Sequence, residues 1–118
     1  MATGNNTDTN QDDRLNGTSG NDIIDARNGD DIIDGNGGAD TLDGGQGSDT
    51  IYGAAGNDRL TGGQGVDTIY GGSGMDIIDG GQDTDNLFGG SGRDTITGDS
   101  GADIIVGGFG ADMLTGAG

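Results

Sequence analysis

Eleven aspartates recur at intervals of nine residues through this 118-residue chain, and no other ionisable side chain repeats in this way. They are Asp22, Asp31, Asp40, Asp49, Asp58, Asp67, Asp76, Asp85, Asp94, Asp103 and Asp112. Carboxylates beside glycine-rich turns offer only oxygen ligands, which hard divalent cations prefer. A single aspartate in a turn commonly hydrogen-bonds its own backbone, but eleven in register predict a repeated cation site.

The charge is strongly one-sided. All 21 acidic residues are Asp and all four basic residues are Arg, which gives a formal net charge of -17. This charge disfavours nucleic acid and anionic membrane surfaces as partners, and it attracts cations. The chain has no Cys and no His, which excludes disulfides, thiolate chemistry and conventional zinc or iron sites.

The same composition argues against an enzyme. Without His or Lys the chain can form no Ser-His-Asp triad, no Schiff base and no P-loop. No stretch approaches the length of a membrane span, and the start of the chain lacks the basic and apolar regions of a cleaved signal peptide. This leaves other export routes, or a fragment of a longer chain, open.

The aspartates occupy position 6 of a nine-residue unit that runs without insertion from Gly17 to Thr115. Position 1 is Gly in ten of eleven units, with Ala26 the exception, and position 4 is Gly in ten, with Asp83 the exception. Position 8 is always Ile or Leu. A content of 30 Gly and 28% hydrophobic residues would also fit a disordered linker, but a linker does not hold aliphatic residues in register.

Each unit reads as a glycine-rich turn followed by a three-residue strand whose middle residue points inward. Two units can form a flattened coil of eighteen residues, so that stacked coils make two facing parallel sheets roughly 26 Å tall. The two inward columns are then Ile24, Leu42, Leu60, Ile78, Ile96 and Leu114 on one side, and Ile33, Ile51, Ile69, Leu87 and Ile105 on the other. A wider triangular β-helix would need more inward residues per coil.

Such thin columns make a weak core, and stacked position-6 aspartates repel one another. A bound cation at each edge resolves both problems. Calcium fits best, because it accepts six to eight oxygen ligands, including backbone carbonyls, whereas magnesium demands a stricter octahedron. An EF-hand is excluded, since the chain has no Glu. Sites between a unit and the one two further on would number at most about nine.

The run Gly62-Gly63-Gln64-Gly65-Val66-Asp67-Thr68-Ile69-Tyr70 resembles the RTX, or haemolysin-type, calcium-binding nonapeptide repeat. The resemblance implies an all-β, right-handed parallel β-roll with eighteen residues per coil. It also implies that Ca²⁺ is held by the position-6 Asp and by turn carbonyls, and that the protein is secreted by a type I system and folds in extracellular calcium. The turn glycines that would supply carbonyls are Gly35, Gly38, Gly44, Gly45, Gly47, Gly53, Gly56, Gly62, Gly63, Gly65, Gly71, Gly72, Gly74, Gly80, Gly81, Gly89, Gly90, Gly92, Gly98 and Gly101.

The repeat divides the chain into a flexible polar arm at 1–16, which joins the ordered region near Leu15, the roll at 17–115, and the start of an incomplete repeat at 116–118. Two features depart from the family pattern. The C-terminal flank that usually caps the roll is absent, which suggests a fragment or one module of a larger protein. The turn containing Arg27 places a cation beside an expected ion position, so that site should be weak or empty.

A second possible function concerns position 9, where Tyr52, Tyr70 and Phe88 form an outward column. The simpler interpretation is that their rings stabilise the sheet. The alternative is a docking face for a polysaccharide or for another domain of a secreted lipase, protease or polysaccharide-modifying enzyme. The threonines are too interrupted by Asp and Arg59 to favour ice binding.

Overall fold

The computed structural model describes residues 10–116 and contains only β-strands and turns there. The strands are β1 (Arg14–Asn16), β2 (Ile23–Asp25), β3 (Ile32–Asp34), β4 (Thr41–Gln46), β5 (Thr50–Ala55), β6 (Arg59–Gln64), β7 (Thr68–Ser73), β8 (Ile77–Gln82), β9 (Asn86–Ser91), β10 (Thr95–Asp99), β11 (Ile104–Phe109) and β12 (Met113–Thr115). Most of the predicted arm, at 1–9, and the last two residues lie outside the described part.

The strands form two parallel six-stranded sheets, as the eighteen-residue coil predicts. Sheet I has the order β1-β3-β5-β7-β9-β11, and sheet II has the order β12-β10-β8-β6-β4-β2. Every pairing is offset by eighteen residues, for example Leu42 with Leu60 and Ile51 with Ile69. The predicted parallel β-roll is confirmed, and its principal extents are 32 × 27 × 12 Å.

Two edges connect the sheets, and each carries one column of position-6 aspartates. Edge A contains the turns that lead from sheet I into sheet II, with Asp22, Asp40, Asp58, Asp76, Asp94 and Asp112. Edge B contains the turns that lead from sheet II into sheet I, with Asp31, Asp49, Asp67, Asp85 and Asp103. Asp13 lies nine residues before Asp22 and takes the equivalent place on edge B, directly ahead of β1. Consecutive aspartates on one edge are therefore one coil apart.

The core is the pair of aliphatic columns between the sheets. Nine position-8 residues, from Ile24 to Ile96, are at most 1% exposed. Leu15 in β1 is also buried and extends the second column before Gly17, because it pairs with Ile33. Ile105 is only partly buried, and Leu114, which was predicted to point inward, is 48% exposed because no described strand stacks beyond β12.

The strands in the middle of the roll are longer than the sequence predicted. Strands β4 to β9 and β11 have six residues each, because positions 2 and 3 of the next unit continue the parallel pairing. Gly45, for example, pairs with Gly63, and Gln46 pairs with Gln64. The prediction of three-residue strands was wrong here because glycine-rich sequence indicates a turn, although its backbone can still pair.

Candidate metal sites

The position-6 aspartates point into the roll. Nine of them, from Asp22 to Asp94, are no more than 2% exposed, whereas Asp103 and Asp112 at the C-terminal end are half-buried. Burying a carboxylate without compensating partners is strongly unfavourable, so both oxygens of each of these side chains should have a hydrogen-bond or ion partner.

One carboxylate oxygen of each position-6 side chain from Asp31 to Asp112 joins the coils together. The Oδ1 atom accepts a hydrogen bond from the backbone N–H of the position-6 aspartate one coil earlier, as in the pairs from Asp49 to Asp67 and from Asp58 to Asp76, at 2.8 and 2.9 Å. Five such bonds run along each edge, at 2.7 to 2.9 Å. Sequence reasoning assigned these aspartates to metal alone and missed this second role.

The other oxygen has no partner. In the described part of the chain, the buried Oδ2 atoms of eight position-6 aspartates form no hydrogen bond: Asp31, Asp40, Asp49, Asp58, Asp67, Asp76, Asp85 and Asp94. Asp22 differs, because its Oδ2 accepts a hydrogen bond from the backbone N–H of Thr18 at 2.6 Å. Unsatisfied buried oxygens at eight equivalent positions indicate that a further group completes each site.

Glycine at position 1 makes room for this oxygen. A Cβ atom at Gly53 would lie 2.6 Å from the Asp58 Oδ2 and 2.7 Å from the carbonyl oxygen of Gly71, one coil further on. At Gly62 the corresponding distances are 2.4 Å to the Asp67 Oδ2 and 2.7 Å to the Gly80 carbonyl oxygen. A carboxylate oxygen and a backbone carbonyl therefore converge on the same small space, which suits a hard cation.

Glycine at positions 2 and 4 has a different cause. There the backbone adopts positive φ and approaches the previous coil closely; a Cβ at Gly65 would lie 2.1 Å from the carbonyl oxygen of Gly47. Five non-glycine residues share this conformation, namely Arg27, Asn36, Ala54, Asp83 and Asp99. These glycines allow the coils to stack, and the ligand role predicted for their carbonyls stays a prediction.

The turn containing Arg27 departs from the other turns in a further way. Ala26 occupies position 1 and is fully buried, so its methyl group fills the space that glycine leaves free elsewhere. The expectation that this site is weak rested on Arg27 alone and stays a prediction; the Ala26 methyl group is a second feature that would oppose ion binding there. The unusual residue at position 1 was the signal that could have revealed it.

No cluster of three or more acidic side chains that could hold a metal ion occurs within residues 10–116. Electrostatically, burial is the main reason that the pKa of Asp49, Asp67 and Asp76 rises from 3.8 to about 7, and that of Asp58 and Asp85 to about 6. Neighbouring aspartates raise these values further, whereas the hydrogen bond from the previous coil lowers them.

A parallel β-roll with buried, partnerless carboxylate oxygens along both edges defines a class of repeat module with repeated oxygen-lined sites that suit a hard cation. Within the described residues, no helix is long and apolar enough to cross a membrane. The sequence profile of the RTX calcium-binding nonapeptide repeat matches this chain four times, at residues 7–42, 34–69, 43–78 and 79–114. The chain belongs to this family, and its repeats are calcium-binding repeats. Neither the curated proteins nor the solved structures contain a match.

The raised pKa values predict how the metal-free roll responds to pH. These carboxyl groups hold more protons in the folded state than in the unfolded state between about pH 4 and pH 7, so the free energy of unfolding falls as pH rises through this range. We expect calcium-depleted protein to show β-structure by circular dichroism at pH 5 and to lose it by pH 8. With saturating calcium the β-signal should persist at pH 8. Loss of β-structure on acidification of the calcium-free protein would contradict this prediction.

Proposed function

We propose that this chain is a calcium-dependent folding module of a secreted protein, which stays unfolded where calcium is scarce and forms the roll in extracellular calcium. The observation that supports this most directly is the set of eight buried Oδ2 atoms without partners. In each of these side chains the Oδ1 atom accepts a hydrogen bond from the previous coil. At Asp40, Asp58, Asp67, Asp76 and Asp94 the Oδ2 atom faces a space bounded by a position-1 glycine and a backbone carbonyl of the next coil. Calcium would supply the missing partner and neutralise the stacked carboxylates.

The proposed ligands are the position-6 aspartates together with carbonyls of the turn glycines, and the sites number at most about nine. Sites that include Asp31 and Asp112 should be weaker than the others. Asp31 lies in the unit with the Ala26 methyl group, and Asp112 is half-buried beside the last strand. Secretion by a type I system fits the same picture, because a chain that folds only in calcium remains extended before export.

A calcium titration tests this proposal. We expect calcium-depleted protein at pH 7.5 to give a coil-like circular dichroism spectrum and to gain β-structure cooperatively at about 0.1 to 1 mM calcium, the range of extracellular modules. Magnesium at the same concentrations should largely fail to fold the chain, because it keeps its waters and demands octahedral geometry. Full β-structure in excess chelator at this pH would overturn the proposal.

A structural role accords with the absence of His, Lys and Cys, so we assign the chain no catalysis of its own. The stacking of Tyr52, Tyr70 and Phe88 supports a role of this aromatic column in stabilising the sheet better than a role in docking a partner. Tyr52 and Tyr70 stack with ring centroids 5.1 Å apart, and Tyr70 and Phe88 stack at 5.0 Å, with interplanar angles of 6° and 11°. Both faces of Tyr70 are therefore covered, and a sugar ring could not stack on it. Docking of another domain would have to use the exposed ring edges.

A further inference from the structure

The aspartates outside position 6 are distributed unequally between the two edges. If Asp13 is counted with the position-6 aspartates, each edge has six such residues in the described part of the chain. In the turns of edge B, or in strands leading into them, lie seven further aspartates: Asp12, Asp25, Asp30, Asp43, Asp79, Asp83 and Asp99. In the corresponding places of edge A lies one, Asp34. The four arginines do not offset this difference, because Arg14 and Arg27 lie beside edge B and Arg59 and Arg93 beside edge A.

Position 5 shows the contrast between charged and neutral side chains in the same geometry. On edge B the Oδ1 atom of Asp30 accepts a hydrogen bond from the backbone N–H of Ser48 at 2.8 Å. On edge A, Asn21 and Asn57 accept the equivalent bonds from Ala39 and Met75 at 2.8 and 2.9 Å. The hydrogen bond is therefore kept on both edges, and only edge B adds a negative charge.

The charges of the two edges differ even more at position 9 of the repeat. The residues leading into edge B include Asp25, Asp43 and Asp79, whereas those leading into edge A include Tyr52, Tyr70 and Phe88. Asp43 and Asp79 accept backbone hydrogen bonds from Gly45 and Gly81.

These extra charges lie close enough to act on the sites. The Oδ1 of Asp30 accepts its hydrogen bond from Ser48, the residue directly before Asp49, and the Oδ2 of Asp83 accepts one at 3.0 Å from the backbone N–H of Gly65, two residues before Asp67. At the equivalent places on edge A, the acceptors beside Asp40 and Asp76 are the neutral side chains of Asn21 and Asn57.

From this distribution we propose that edge B binds calcium more tightly than edge A and fills first, so that the roll responds to calcium in two steps. The inference rests on the proposed calcium-binding function. A divalent cation gains Coulomb energy from every nearby carboxylate, and added ligand-region charge is a known determinant of calcium affinity. Because every coil has one turn on each edge, filling edge B alone holds successive coils together before edge A is complete.

Terbium, a hard cation with the same preference for oxygen, can distinguish the edges through tyrosine. Tyr52 precedes Gly53, whose Cβ position lies 2.6 Å from the Asp58 Oδ2 of edge A, and Tyr70 stands in the same relation to Gly71 and Asp76. The positions that lead into edge B carry only Asp or Thr. Emission excited through tyrosine therefore reports mainly edge A, while equilibrium dialysis measures all bound terbium.

We expect tyrosine-sensitised emission to lag behind total binding, with a midpoint at a terbium concentration roughly threefold or more higher. Two variants test the cause. Asp43→Asn with Asp79→Asn removes charge from edge B while keeping an oxygen acceptor, and Asn21→Asp with Asn57→Asp adds charge to edge A. The two variants change the net charge in opposite directions, yet both should shorten the lag.

Emission that rises in proportion to bound terbium from the first addition would overturn the proposal. The proposal would also be overturned if one variant shortened the lag and the other lengthened it, because the lag would then follow the net charge of the protein and not the charge of each edge. Circular dichroism of the same samples separates this outcome from failure of the proposed function. If neither terbium nor calcium produces β-structure, calcium-dependent folding itself is wrong; if they do and the lag is absent, only the order of the edges is wrong.

Discussion

Replacing Asp67 with Asn should have opposite effects on the roll with and without calcium. With calcium, we expect the folding midpoint to rise by about tenfold, because one site loses a charged ligand. Without calcium at pH 7.5, the same variant should contain more β-structure than the wild type. The reason is that the substitution removes a buried carboxylate whose Oδ2 has no partner.

The geometry allows Asn to fit at this position. Its Oδ1 can keep the hydrogen bond from the backbone N–H of Asp49, which measures 2.8 Å in the wild type. Its Nδ2 would take the place of Oδ2, near the point that lies 2.7 Å from the Gly80 carbonyl oxygen. The amide can donate a hydrogen bond there, which a carboxylate cannot do.

Circular dichroism at a series of calcium concentrations, with and without chelator, measures both effects. Asp34→Asn is the matched control, because Asp34 lies at position 9 and its Oδ1 accepts a bond from Asn36 at 3.0 Å, which Asn can also accept. The control should leave the midpoint within about twofold of the wild type. If Asp67→Asn destabilises the protein equally in both conditions, the side chain acts only as a structural hydrogen-bond acceptor.

The coil length, the pairing of the sheets and the two aliphatic columns could be predicted from the sequence. A nine-residue period with one aliphatic position leaves few ways to bury that residue, and two units per coil is the simplest one. The extent of the strands could not be predicted in the same way. Strand length depends on whether Gly45 and Gln46 pair with the next coil, and a glycine-rich sequence alone does not decide that.

The candidate metal sites could also be predicted only in part, because the period of the aspartates follows from the sequence but the contacts of each carboxylate oxygen do not. The register of the aspartates singled out the side chains that the structure buries in the turns, and their role as metal ligands stays a prediction. The hydrogen bond from Asp49 to Asp67 could not be read from the sequence, since it depends on which oxygen points towards the previous coil. The Ala26 methyl group was also missed. Its place beside the ion position can be recognised only from the structure, which puts the aspartate Oδ2 atom next to position 1.

Position 4 should be far less tolerant of alanine than position 3, and Gly37 and Gly38 allow a direct comparison. A Cβ at Gly38 would lie 2.3 Å from the carbonyl oxygen of Gly20, and the backbone there has φ of +100°. A Cβ at Gly37 meets no atom closer than 3.9 Å, and its partner in the next coil is Ala55. Gly38→Ala should therefore cost roughly 3 kcal/mol from the backbone clash and the left-handed conformation together.

Chemical denaturation in saturating calcium measures this difference, and Gly37→Ala should remain within about 0.5 kcal/mol of the wild type. Equal losses for the two alanine variants would show that the coils do not approach as closely as the structure has them.

Asp83 indicates that a third variant, Gly38→Asp, should fall between the two. Asp83 occupies position 4 with φ of 81°, and its Oδ2 accepts a hydrogen bond from the backbone N–H of Gly65, one coil earlier, at 3.0 Å. An aspartate at position 38 could accept the equivalent bond from the backbone N–H of Gly20, in exchange for the bond of 3.1 Å that this N–H donates to the Thr18 hydroxyl, which alanine cannot do. The expected order of stability is thus Gly37→Ala, Gly38→Asp and Gly38→Ala. This order would show that position 4 favours glycine because successive coils approach closely there. It would also show that a side chain able to accept a hydrogen bond from the previous coil partly compensates for the clash.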